Sequence, residues 1–125
     1  MGLTTDRNDP CLHVIEPNGM QRCYLVLSEE ERGKDFVRPV RRAYIHFKCG
    51  SVTTMGLTLC ETYARDPKFY GGTFCVNCGE HFDLKSLDFE DPTARLKLLD
   101  GKPVLAYHFG WIGEDGNPDG SYVGE

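Results

Sequence analysis

The sequence has no run of about 18 apolar residues, so no membrane-crossing helix is expected. The first ten residues, Met1 to Pro10, contain no apolar stretch, so no secretory signal is expected either, and the reading that follows is a cytoplasmic protein. No internal repeat organises the chain beyond one pair of short motifs taken up below. Apolar residues are slightly scarce at 40%, while glycine is plentiful at 14 residues in 125, which predicts many loops around a modest core. A thin core of that kind gains from an added clamp. A net charge of −5 disfavours long-range attraction to nucleic acid. The charge is uneven, however. Residues 32–48 carry six basic side chains against Asp35 alone, so this one strip could meet an anionic partner.

Six cysteines raise the question of disulfides. In the cytoplasm thiols stay reduced, so metal binding is the expected use. Two stretches support it: His46-Phe47-Lys48-Cys49-Gly50 and Cys75-Val76-Asn77-Cys78-Gly79. Each sets two soft ligands three positions apart and follows the second with a glycine, which can take positive φ and close a tight loop. Zinc favours four thiolate or imidazole ligands in a tetrahedron, and a pair of such half-sites is a far stronger signal than one. Cys75, Cys78 and Cys49 are the first three ligands by spacing. For the fourth, His46 stands at the offset from Cys49 that Cys75 has from Cys78. His81, three residues after Cys78, is the main rival, and Cys60 the third choice. If His46 binds, His81 is placed to support the site from outside it.

A structural zinc fills all four positions, whereas a catalytic one keeps a position for water and has a base nearby. Four ligands can be named here, so an enzyme is not expected; a zinc hydrolase with Glu80 as base is the weakest alternative. The zinc deaminase pattern is missing, because His46 is not followed by x-Glu and Cys75 is not preceded by proline. Nothing in the sequence marks a base that would make a nucleophile of Cys11, Cys23 or Cys60. Asp115 to Gly120 imitates the start of a calcium loop, but the closing glutamate comes one position early.

One domain is predicted: an irregular lead-in over 1–21, a core over 22–112 and a flexible acidic tail over 113–125. Cys23–Leu27 and Ala43–Phe47 read as strands. Ser28 with Glu31 forms a capping-box pattern ahead of a short helical turn that Gly33 ends. The main helix is expected over Thr53–Arg65, stopped by Asp66-Pro67. A strand leads into Cys75, and another, His81–Leu84, leaves it. A brief helix is predicted over Ala94–Leu99 after Asp91-Pro92-Thr93, although Asp100-Gly101 also suits a hairpin. Val104–Ile112 is the longest β-prone run. The sum is an α+β fold, a small antiparallel sheet with one main helix around a zinc-ribbon or treble-clef-like Cys₃His centre.

Residues 36–82 carry a further signal. Arg38-Pro39-Val40-Arg41, Tyr44-x-His46-x-x-Cys49-Gly50, Val52-Thr53-x-Met55, Glu61 to Pro67 with Phe69-Tyr70-Gly71, and Thr73-Phe74-Cys75-x-x-Cys78-x-x-His81-Phe82 resemble an uncharacterised family of small zinc-binding proteins of bacteriophages and prophages. The resemblance implies a phage-encoded protein of the bacterial host cytoplasm and supplies no activity. The leading expectation is therefore a non-enzymatic protein that docks to a host or phage protein partner. The alternative is a nucleic-acid-binding accessory factor using Arg38, Arg41, Arg42 and Lys48, with Tyr44, Phe47 and Phe74 as stacking faces. Against that alternative, these cations can equally pair with the chain's own carboxylates.

Overall fold

The computed structural model describes residues 2–125, and its fold is α+β. Sixteen apolar side chains are buried, and the centre of the core is aromatic, formed by Tyr44, Tyr63, Phe109 and Trp111 with Met55, Leu84 and Val123. Instead of one sheet there are, among the described residues, four small ones. The largest has the order β11-β10-β3-β4, built from Ala43–His46 (β3), Val52–Thr54 (β4), Phe109–Ile112 (β10) and Pro118–Tyr122 (β11), all antiparallel. A hairpin joins Gly72–Cys75 (β5) to Glu80–Asp83 (β6). Lys85–Ser86 (β7), Lys102–Tyr107 (β9) and Arg95–Leu99 (β8) form a three-stranded sheet in the order β7-β9-β8. Near the start of the chain, Gly2–Thr4 (β1) pairs in parallel with Cys23–Leu25 (β2), the one departure from the antiparallel expectation.

The main helix, α2, runs Leu57–Arg65, four residues shorter at its start than the sequence pattern predicts. β-branched Val52, Thr53 and Thr54 pair with β3 instead, and Gly56 then serves as the N-cap. Its buried face, Cys60, Thr62, Tyr63 and Ala64, meets the aromatic core. The Asp66 amide closes the last turn on Thr62 O, and Pro67 prevents continuation. The short helix α1, Glu29–Arg32, has the expected cap, with Ser28 Oγ accepting from the Glu31 amide.

Two expectations are corrected. Ala94–Leu99 is not helical: Arg95–Leu99 pairs with β9 through a tight turn in which Asp100 and Gly101 both have positive φ. Asp91 spends its carboxylate on the Thr93 amide and hydroxyl rather than on capping a helix. The tail is also built into the fold. β11 pairs with β10, Tyr122 stacks on Tyr107 with centroids 4.9 Å apart, and Val123 is fully buried. The apolar Tyr122-Val123 pair outweighs the polar composition of the residues before it.

β9 and β10 divide the β-prone run at His108. Its Nε2 lies 3.1 Å from Ser86 Oγ and its Nδ1 3.7 Å from Asp91 Oδ2, which pins the 87–94 loop to this corner.

Candidate metal centre

The β3–β4 and β5–β6 turns are two copies of one local structure. Gly50 N donates to His46 O at 2.7 Å, and Gly79 N donates to Cys75 O at 2.9 Å. Both glycines have φ of 71°. That conformation costs an L-residue roughly 1–2 kcal/mol and glycine nothing. Each turn thereby aims its two side chains to one side, and the folding of the sheets sets the turns face to face.

His46, Cys49, Cys75 and Cys78 meet there, with all four ligand atoms within 4.8 Å of one another, and could hold a metal ion. Cys49 Sγ is 3.4 Å from Cys75 Sγ and 3.5 Å from His46 Nδ1, and Cys78 Sγ is 3.7 Å from the same nitrogen. Cys75 is wholly buried and His46 is 2% exposed. The imidazole is fixed by its neighbours. It stacks on Phe109 at 4.6 Å with the planes 17° apart, and Phe82 lies 4.5 Å away on a tilted ring. Lys48 Nζ sits 5.8 Å from the Phe82 centroid, over its face.

The electrostatics of the donor set suit a cation. Burial lowers the pKa of His46, helped by the nearby His108 and Lys48, so the ring stays neutral and its nitrogen is free to bind. Burial raises the Cys49 thiol, but the Ser51 amide and the Cys75 thiol outweigh it and bring the group down to about 7. Cys78 moves the other way, to about 11, through burial and its bonds to Cys75 and Cys49. With nothing among them, crowded thiols resist ionising together; a metal ion removes that repulsion and releases their protons.

The rival ligands are engaged elsewhere. His81 Nε2 pairs with Tyr24 OH at 2.9 Å, and its ring edge meets Phe74. Cys60 donates to Met55 O at 3.6 Å, and burial raises its thiol to about 11. Cys11 and Cys23, expected as reduced thiols, are joined as a disulfide with Cα atoms 5.4 Å apart. The 3₁₀ turn Pro10–His13 carries Cys11 back against β2, bringing together residues twelve apart in sequence.

The basic strip is split. Arg41 turns inward, pairing with Asp119 at 2.9 Å, bonding Ser121 and lying 4.9 Å from the Trp111 ring centroid. Arg38, Arg42 and Lys48 are exposed.

The lead-in contributes contacts that spacing does not reveal. Its turn at Asn18-Gly19 rests on the second metal loop so closely that a Cβ on Gly19 would collide with Gly79 O. Tyr70 OH donates to Leu25 O, tying β2 to the segment ahead of β5. The Asn18-Gly19 pair is the only trace of this contact in the sequence, and it reads there simply as a turn.

The chain matches no family model, no characterised protein and no solved structure.

Proposed function

We propose that His46, Cys49, Cys75 and Cys78 hold one structural zinc in a zinc-ribbon-like centre, and that the protein is a non-enzymatic, phage- or prophage-encoded factor that binds a host or phage protein; the Cys11–Cys23 disulfide removes the reduced-thiol argument for a cytoplasmic location. The donor set carries the zinc reading. A tetrahedral Cys₃His zinc with ordinary bond lengths sets neighbouring donors about 3.5–3.8 Å apart. Three of the separations here, 3.4, 3.5 and 3.7 Å, fall around that range, and all lie within 4.8 Å, before any ion draws the set together. Both pairs of ligands come from hairpin turns, which is the ribbon arrangement; in a treble clef a helix start supplies the second pair. Four protein donors leave no coordination position for water, which argues against hydrolysis at the metal.

The phage origin rests on the resemblance of residues 36–82. The binding role rests on a surface whose charges are unevenly spread, which favours a partner of complementary charge. The exposed Arg38, Arg42 and Lys48 favour nucleic acid as the second reading.

Metal content by mass spectrometry on wild type, His46→Ala, His81→Ala and Cys75→Ser tests the centre. One zinc per chain, lost in His46→Ala and Cys75→Ser and kept in His81→Ala, is expected. Zinc retained by a folded His46→Ala would sink the four-ligand assignment. For the partner, affinity capture from nuclease-treated host lysate should retain a defined protein. Binding that vanishes on nuclease treatment and falls steeply with salt would transfer the role to nucleic acid.

A further inference from the structure

β4 pairs only with β3, and β5 only with β6, so no ladder joins these two neighbouring strands. Two side-chain bonds join the β3–β4 hairpin to the β5–β6 hairpin instead. The Val76 amide donates to Thr53 Oγ1 at 3.1 Å, and Tyr44 OH donates to Phe74 O. Between the strands remains a pocket of about 100 Å³, flanked on its other sides by α2 and by Met20 of the lead-in and partly open to solvent. A pocket of this size at the meeting of four segments is roomy enough for more than one water molecule, so its lining can be read for the guest it suits.

Three properties define what it would take. The walls are aromatic, with Tyr24, Tyr44, Tyr63, Tyr70 and Phe74, and no lining residue carries a full charge. A charged guest would therefore lose its hydration without compensation. One corner is polar: the hydroxyls of Thr53 and Thr73 lie there with that of Tyr44, and Thr73 Oγ1 donates to Tyr44 OH at 3.2 Å. The volume is well below the roughly 300 Å³ of an ordinary ligand pocket. It is nearer the roughly 150 Å³ apolar cavity known to take up benzene. The walls are also held in place, since Tyr24 is fixed by His81 and Tyr70 by Leu25 O.

We infer that this cavity binds a small neutral molecule of about phenol size, with an apolar body against the aromatic walls and one hydroxyl joining the Thr53–Tyr44–Thr73 corner. The site is separate from the metal and does not depend on the identity of the partner.

Trp111 is the only tryptophan and stands edge-on to Tyr63 at 5.3 Å, so its fluorescence reports on the cavity wall. Full-length metal-loaded protein would be titrated with phenol, benzene and benzoate, reading Trp111 emission and melting temperature. A saturable response to phenol is expected, with benzene at least threefold weaker and benzoate silent. Leu59→Phe, which fills the cavity from α2, and Met20→Phe, which fills it from the lead-in, should each weaken phenol at least tenfold at unchanged metal content. If Leu59→Phe does not fold, Met20→Phe decides. No saturable response in wild type, with a raised melting temperature in the filling variants, would make the cavity a packing void and overturn the proposal. Phenol binding that survives in the folded filling variants would place the guest elsewhere, and benzoate binding as well as phenol would overturn the neutral class.

Discussion

The two metal loops share spacing, hydrogen bonding and glycine conformation, yet they stand on different foundations. The first, 46–50, hangs from β3, which is paired on both sides by β4 and β10, and its histidine is stacked on Phe109 of that sheet. The second, 75–79, hangs from a hairpin of two strands that belongs to no larger sheet. An isolated two-stranded hairpin is marginal in water. What steadies this one comes from outside: the ligand cluster, the Tyr44 and Thr53 bridges, the lead-in lying against Gly79, and Tyr24 of β2 against His81. One loop is thus positioned by a sheet and the other by its neighbours, and a metal held by the four ligands would join a stable half-site to a dependent one.

Removing the metal should expose that asymmetry most sharply. In small metal-stabilised domains the binding free energy, on the order of 10 kcal/mol, is largely folding free energy. Chelation, or Cys75→Ser, is expected to cause the largest loss of stability. Hydrogen exchange should then speed up first in 72–83, while β3 and β10 keep more of their protection. Equal and simultaneous loss in both loops would refute the difference in foundations.

Glycine replacements come next. Gly19→Ala adds both positive-φ strain, at φ of 90°, and a collision with the Gly79 carbonyl, for a combined cost of about 3 kcal/mol. Gly50→Ala meets nothing within 4 Å and carries only the strain, about 1–2 kcal/mol. Denaturant melts of the metal-loaded variants would check the ranking. If Gly50→Ala were the more damaging, the lead-in would not be what supports the second loop. Reducing the Cys11–Cys23 disulfide, which closes a loop twelve residues in span, should cost about 2–3 kcal/mol by chain entropy. The lost protection should appear in the lead-in and the 75–79 loop, with 46–50 unchanged.

How much of this was legible depended on the range of the contact. The ligand spacing and the glycine after each half-site are local, and they located the cluster to the residue. Ser28 with Glu31 and the Asp100-Gly101 turn are local too. The failures are tertiary. Thr53 and Thr54 fit a helical stripe as well as a strand, and only β3 beside them decides. Arg95–Leu99 has good helix formers, but pairing with β9 overrides propensity. The acidic tail looked mobile because Tyr122 and Val123 are few, although they land on the core. The Cys11–Cys23 pairing depends on a 3₁₀ turn that no spacing rule announced. The lead-in's grip on the second loop has no signature except one glycine in a polar turn.

The smallest expected effect isolates one contact of that grip. Burial lowers the pKa of His81, so the folded protein holds the ring neutral, with Tyr24 OH beside its Nε2. Below the ordinary histidine value of about 6.5 the unfolded chain binds more protons than the folded one. The contribution of this group is therefore complete above that pH and is lost as the pH falls through it toward the depressed folded value. His81→Gln can keep an acceptor for Tyr24 OH but does not titrate. Metal-loaded wild type and His81→Gln, melted from pH 7.5 downward over the range in which both retain zinc, should diverge, with the wild type falling more steeply. The difference will be modest because the imidazole is only part-buried. Parallel curves would mean that the lead-in and β2 steady the second loop through Gly19 and packing alone, with the Tyr24–His81 bond contributing nothing that protonation can remove.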